Sequence, residues 1–462
     1  MEPESTTRTV PPTPGFGSYT PSGAQSAAAV RRRIDAVDLL RGIVMVLMLL
    51  DHTRDFTHQN ALQFDAADLA RTTPALFFTR WVTHFCAPIF VFLAGTGAYL
   101  QGARGRSKRE LSRFLVSRGF WFIALEFTVV RLVAFFDYDP SLLGIAQVIW
   151  VIGVSMIVLA ALIHLPLRAV AAFGVGMIAL HNLLDGVRPN AWRGPGSPVP
   201  SLGDKLLTIL HTQGVFPIAG WPSPLLLVLY PLIPWVGVLA AGYALGAIYG
   251  WEPARRQRWL LRAGLAMVAA FVVVRAFNFE GNPVKIGADH GYGDPNPWRT
   301  EIQVPVDPSA ARTPNAPTRT VRLSPTFVAL SFLNTTKYPP SLLYLLMTLG
   351  PALLALRWFE RRPPSSRGPV GALVTFGRVP FFFYLLQWPY VHVVGIALSL
   401  AFGKSTATYF SNPLKWDPTW NFGFPLWVTY LCWMLGVVLL YPLCRWFAGV
   451  KARRRDWWLG YL

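Results

Sequence analysis

The segment VDLLRGIVMVLMLLDHT, residues 37–53, places four ionisable side chains at the two ends of an apolar run: Asp38 and Arg41, then Asp51 and His52. Asp38 and Arg41 are three residues apart, so on a helix they share a face and can pair. His52 follows Arg41 by eleven residues. That is close to three helical turns and about 16 Å of axial rise, so Arg41 and His52 point the same way at opposite ends. Imidazole is the side chain best suited to take up and return a proton near neutral pH. A guanidinium suits phosphate and carboxylate. One helix face therefore offers a cation at one end and a general base at the other. Asp51 lies about 100° round the helix from His52 and is not its orienting partner by sequence adjacency alone.

Further polar side chains interrupt other apolar stretches: Arg80 and His84, Glu126 and Arg131, Gln147, His181 and Asp185, Arg275 and Asn278, Gln387 and His392. An ionisable group at membrane depth costs at least about 2.5–3.5 kcal/mol on the insertion scale, so it is paired, faces a cavity or serves function. Glu126 and Arg131, five residues apart, are expected to find partners on other helices. His181 and Asp185, at i and i+4, are expected to pair with each other. Gly95 and Gly97, and Gly237, Gly242 and Gly246, are expected to permit close helix packing.

The elements that must position these groups are apolar segments of about 20 residues. Of 462 residues, 53% are hydrophobic and only 14% charged, with a mean hydropathy of +0.38. Soluble domains are nearer a quarter charged. Ten spans are predicted, at about 35–53, 75–100, 114–136, 142–163, 167–185, 224–249, 259–277, 339–358, 370–401 and 424–447, each long enough for a ~30 Å hydrocarbon core. Pro380 and Pro389 predict a kink or split in the ninth. The fold class is all-α, a polytopic helical bundle in the membrane. The ten-residue alternating segments of a β-barrel are absent.

The formal net charge of +19 is a topology signal. RGRSKRELSR, EPARRQR and RWFERRPPSSR, with the RRR before the first span and KARRR near the C-terminus, all fall on one side for ten crossings with both termini cytoplasmic. The loops 186–223 and 278–338 then lie outside. Nucleic-acid binding is not supported, since no recognition motif accompanies the charge. Residues 1–30 are rich in Pro, Ser, Thr, Gly and Ala, lack the apolar core of a signal peptide and read as a disordered cytoplasmic tail. Cys86, Cys432 and Cys444 sit in apolar segments and read as small buried hydrophobes. No metal-ligand spacing, Walker A, dinucleotide fingerprint, HExxH or GxSxG motif occurs.

RRRIDAVDLLRGIVMVLMLLDHTRDF resembles the opening segment of the transmembrane acyltransferase superfamily, closest to bacterial membrane proteins related to heparan-α-glucosaminide N-acetyltransferase. PIFVFLAGTGAYL, RGFWFIALEFTVVRL, YPLIPWVGVLAAGYALG, KYPPSLLYLLMTLG and FGRVPFFFYLLQWPYVH follow in the expected order, so the likeness covers most of residues 31–462. The Arg41 to His52 spacing and the KYPPS and FGRVPFFFY segments are its specific parts. The resemblance implies an acyl group, often acetyl, passed from cytoplasmic acyl-CoA to a hydroxyl or amine at the other face. It implies His52 as general base with Arg41 as its motif partner. Two departures stand out. The animal enzyme's catalytic histidine lies beyond the first core helix, where His58 is the nearest counterpart, and relatives often carry histidine where Gln387 stands.

On this reading Arg41 and Arg378 meet the CoA phosphates. Asp51, His84, Glu126, Lys337 and Tyr338 face the substrates, with Lys337 and Tyr338 at the outer mouth, and one cavity joins Arg41 to His52. The expected partners are the bilayer of the bacterial inner (plasma) membrane, acyl-CoA as donor substrate and a sugar or glycan acceptor. No metal is called for, and assembly into a homo-oligomer is left open. A transporter or flippase using the same buried charges for a polar small molecule is the alternative, followed by a non-catalytic scaffold or sensor. Acyl-CoA dependence discriminates the first reading from the others.

Overall fold

The computed structural model describes residues 35–277, 297–298, 300–306, 317–362, 367–454 and 456–460. The 1–30 tail, the RRR motif, Asn278 and much of the 278–338 loop lie outside the described residues.

Helix α1, Asp35–Thr57, is the axis of the bundle. It is apolar on nearly all sides, the pattern of a helix packed all round, and it touches six other helices. Two of these, α2 (Pro74–Thr83) and α3 (Cys86–Gly102), make up the second predicted span, broken at His84–Phe85. The third span is α4 (Lys108–Leu125), a π-helical turn at Glu126–Val130 and α5 (Arg131–Phe135), closed by Phe136 in the left-handed conformation at φ 44°. The fourth predicted span opens with a strand, β1 (Leu142–Ala146), before α6 (Val148–Leu162). Next come α7 (Leu167–Leu180), α8 (Leu202–Leu210) and β2 (Gly214–Pro217). The sixth span likewise opens with β3 (Leu225–Val228) before α9 (Leu232–Gly246).

Strand β3 lies between β1, which it pairs in parallel, and antiparallel β2. A small sheet thus qualifies the all-α expectation. Short apolar runs of four or five residues carry no periodicity that separates strand from helix.

The second half comprises α10 (Pro253–Ala276), the hairpin β4 (Glu301–Pro305) and β5 (Thr318–Arg322), α11 (Pro325–Leu333), α12 (Leu342–Arg361), α13 (Gly368–Arg378), α14 (Pro380–Ala401) and α15 (Leu426–Arg453). The ninth predicted span is indeed split, at Val379 between α13 and α14. Proline at 380 begins the new helix without forfeiting a hydrogen bond, because a first-turn amide has no intrahelical acceptor.

Seven helical segments among the described residues are long and apolar enough to cross a membrane. The charged residues at both ends of α1 keep it outside that set, although its central run, Gly42 to Leu50, is wholly uncharged. Outward-facing Leu431, Met434, Leu435, Val438 and Leu439 on α15 leave an apolar face exposed, as a lipid-facing helix does. Close backbone approach fixes the inner half of α1. A Cβ on Gly42 would collide with the Leu373 carbonyl of α13, and one on Gly377 with the Asp38 carbonyl. Gly95 on α3 and Gly242 on α9 make a similar close contact, whereas Gly97 faces open space and has no packing role.

Candidate active site

Towards its C-terminal end α1 meets a cavity of about 590 Å³. Strands β1 and β3 run parallel and end together. This sets Gln147, just after β1, and Tyr230, just after β3, on the cavity wall. The short loop before α12 adds Lys337 and Tyr338, and α14 adds Tyr384 and Trp388. That loop is held in place from outside the cavity. The buried Arg275 guanidinium donates to the carbonyl oxygens of Ser331, Phe332 and Asn334 at 2.7–2.9 Å. The Asn334 amide in turn donates to the Ala67 carbonyl at 3.0 Å.

His52 lines this cavity and is only partly covered. Its imidazole lies against the Trp388 indole, with centroids 4.0 Å apart and planes 20° from parallel. Its Nδ1 is buried and makes no hydrogen bond. The ring is therefore oriented by stacking rather than by a carboxylate.

Asp51 is turned the other way. One Arg80 nitrogen donates to both of its oxygens at 2.9 Å, Thr83 donates to Oδ1 at 2.9 Å, and Arg54 stands 3.1 Å away. Lys337 Nζ lies 3.7 Å from Oδ2. One buried carboxylate thus gathers three cations from α1, α2 and the loop before α12. Such clusters persist only when every member is paired. Asp55 takes part of the Arg54 charge.

The segment after α1 forms a further part of the wall. Asp65 is exposed to the open cavity, with protein packed behind it. Burial pushes its carboxyl up, yet the charge of Arg80, the Ala67 amide, Arg54 and Lys337 outweigh this and hold it below the usual carboxylate range. His58, also on the wall, is held at about 4 by burial and by the Arg54 charge, against the opposing pull of Asp55.

Of the residues singled out in the sequence, the cavity brings together Asp51, His52, His58, Gln147, Lys337, Tyr338 and Arg80. It does not include Arg41, Arg378, His84 or Glu126. Arg41 donates to Asp38 at 3.2 Å and to the Gly377 carbonyl at 3.1 Å, at the far end of α1. Arg378 stands beside it, 3.2 Å from Asp35. The residue of α1 nearest Arg41 on the cavity wall is Met48, seven residues or about 10 Å short of it. The cavity at His52 therefore does not extend to Arg41 as expected, because Val44 and Met45 are packed tight between them.

His84 sits in the break between α2 and α3, its carbonyl bound by Tyr344 at 2.8 Å. Glu126, in the π-helical turn, accepts the Trp150 amide of α6 at 2.8 Å, and Arg131 bonds the carbonyls of Leu143 and Asp139. Both thus find partners beyond their own helix. Asp185 pairs with His211 at 2.9 Å, not with His181, which contacts the Ile178 and Pro340 carbonyls. Helix geometry changes at His181, where α7 tightens into a 3-10 turn, so the i, i+4 register on which the expected pair depended is lost. Gln387 is fully buried, with neither amide atom hydrogen-bonded, and His392 bonds the Trp388 carbonyl at 3.2 Å. The three cysteines are free and buried. No cluster of metal-binding side chains occurs among the described residues.

Sequence reasoning overlooked Trp388 and Tyr384, which read as helix hydrophobes, and Arg54 and Asp55. The run DHTRD, with four ionisable groups in one helical turn and a half, was the available signal for the latter two.

A profile of the heparan-alpha-glucosaminide N-acetyltransferase catalytic family matches residues 33–275. The chain belongs to this family. None of the curated proteins compared matches it. The heparan-alpha-glucosaminide N-acetyltransferase match takes in His52, Asp51, Arg54 and Arg80, together with the strands that frame the cavity. Lys337, Tyr338, Tyr384 and Trp388, which complete the walls, lie beyond it. Family membership and the apolar helices together make this an acetyltransferase-like integral membrane protein.

Proposed function

We propose that the protein is an integral membrane acyltransferase of the bacterial inner membrane. It moves an acyl group, acetyl in the simplest case, from cytoplasmic acyl-CoA to a hydroxyl or amine of a sugar or cell-envelope acceptor at the outer face. The observation that carries this reading is His52: a partly covered imidazole on a 590 Å³ cavity, in a chain of the acetyltransferase family. His52 takes the proton of the acceptor as its nitrogen or oxygen attacks the thioester carbonyl, and returns it to the departing thiolate. Asp51 holds Arg80, Arg54 and Lys337 in place around the acceptor. The chain crosses the bilayer ten times with both termini cytoplasmic, which sets Arg41 and Arg378 near the inner face, where guanidinium groups suit the CoA phosphates. Donor entry then requires the helices between Arg41 and Met48 to part.

The test is sidedness in sealed proteoliposomes of one orientation. Acetyl-CoA is expected to support transfer only from the face bearing the RGRSKR loop, with acetylated glucosamine, used as the acceptor probe, forming on the other. Acetyl-CoA at 100 times its Kd should also stabilise the purified protein by about 2.7 kcal/mol. Transfer with both substrates confined to one face of tight vesicles would exclude the transmembrane route.

A further inference from the structure

Tyr384 and Trp388 stand one turn apart on α14 and both line the cavity. Both are buried, at 0% and 5% exposure. Neither the Tyr384 hydroxyl nor the Trp388 Nε1 has a hydrogen-bond partner. The two polar heads lie beside one another without forming a well-directed hydrogen bond between them. A buried donor left unpaired loses its hydration without compensation; both atoms are covered in this structure, and a ligand acceptor reaching them from the cavity would complete them. Several other donors on that wall are engaged. Arg80 and Lys337 serve Asp51, Arg71 serves Asp68, and Tyr338 meets Tyr230. Arg54 keeps one unbonded nitrogen, Nη1, but it follows His52 by two residues and so projects about 200° away round α1. Trp388 is different, because its ring is the one stacked on His52.

Resting on the acyl-transfer reading, we propose that Trp388 Nε1 and Tyr384 Oη form the oxyanion site of this enzyme. The acceptor nitrogen or oxygen forms a bond to the thioester carbon, and the carbonyl π electrons move onto its oxygen. That oxyanion accepts hydrogen bonds from the indole N–H and the phenol O–H while His52 holds the acceptor's proton. Collapse re-forms the carbonyl and breaks the C–S bond, and the thiolate takes the proton from His52. Tyr384 and Trp388 donate hydrogen bonds throughout and are chemically unchanged. Donors fixed where charge develops stabilise the transition state more than the ground state, so they act on kcat.

The test uses the full chain in detergent or nanodiscs. Free-thiol release from acetyl-CoA is followed with glucosamine and with water alone as acceptors, since both pass through the same tetrahedral oxyanion. Trp388→Phe keeps an aromatic ring against His52 and removes the N–H; Tyr384→Phe removes only the hydroxyl. Each is expected to lower kcat by about 100-fold, with the KM for acetyl-CoA within about twofold of wild type and acetyl-CoA still raising the melting temperature. The double variant should lose less than the product of the two. If one variant does not fold, the other decides. Unchanged kcat in either folded variant overturns the oxyanion assignment alone, and so does a fall in kcat accompanied by loss of acetyl-CoA stabilisation. Absence of thiol release by the wild-type protein overturns the acyltransferase reading, and this assignment with it.

Discussion

The imidazole of His52 and the indole of Trp388 lie face to face, 4.0 Å between centroids, joining the first helix of the bundle to α14. This contact holds the imidazole by its flat face and leaves its edge uncovered by the indole, as the proposed role of a base requires. Replacing the imidazole by a side chain that cannot carry a proton should therefore remove the chemistry and little else. For His52→Ala, the transfer rate is expected to fall by about 10²–10⁴, while expression and stabilisation by acetyl-CoA persist. Full activity in that variant would move the base to His58, the other histidine on the cavity wall.

Asp51 answers for three cations. Asp51→Asn leaves Arg80, Arg54 and Lys337 crowded together with one anion fewer. Breaking a buried ion pair from one side costs about 3–5 kcal/mol, so a large drop in melting temperature is expected. Arg80→Met on the same background should recover part of it by removing one of the stranded charges. Equal melting of wild type and Asp51→Asn would show that the cluster is solvated.

Gly42 and Gly377 allow α1 and α13 to touch through their backbones. Gly42→Val forces these helices apart, and overpacking of this kind costs about 1–3 kcal/mol or more. Gly97→Ala, which faces open space, serves as the control and should leave thermal stability within about 0.5 kcal/mol.

Topology is tested by cysteine labelling, since the native cysteines are buried. Thr320→Cys on exposed β5 should react with an impermeant reagent on intact cells, and Arg104→Cys beside the basic loop should not. The opposite pattern would invert the orientation.

His58 supplies a pH dependence with a definite sign. Burial and Arg54 hold it at about 4, below its ordinary 6.5. The folded state then binds fewer protons than the unfolded one between these values, so stability rises with pH across that window. Melting temperature should fall as pH is lowered from about 6.5 towards 4, and His58→Gln should flatten this slope.

Much of the helical plan was legible because apolar length is a coarse signal that survives without context. The split at Pro380 and the Asp38–Arg41 pair followed from local chemistry alone. The strands at 142–146 and 225–228 were hidden, since they continue directly into apolar helices. At the site, charge made Asp51, His52, Arg80 and Lys337 visible. It could not reveal Tyr384 or Trp388, whose importance comes from what they face rather than from what they are. Nor could spacing show that Arg41 and His52, aligned on one helix, are separated by the packed side chains of Val44 and Met45.

The walls of the cavity come from both sides of residue 275, where the family match ends. A fragment cut at that boundary would keep His52 and the Asp51 cluster's two arginines but lose the stacking indole, the phenol and the lysine. It would keep the His52 imidazole without the walls that enclose it. On the proposed function the smallest working unit extends through α14, and differences in acceptor preference between members of the family are to be sought in the part of the wall contributed after residue 275.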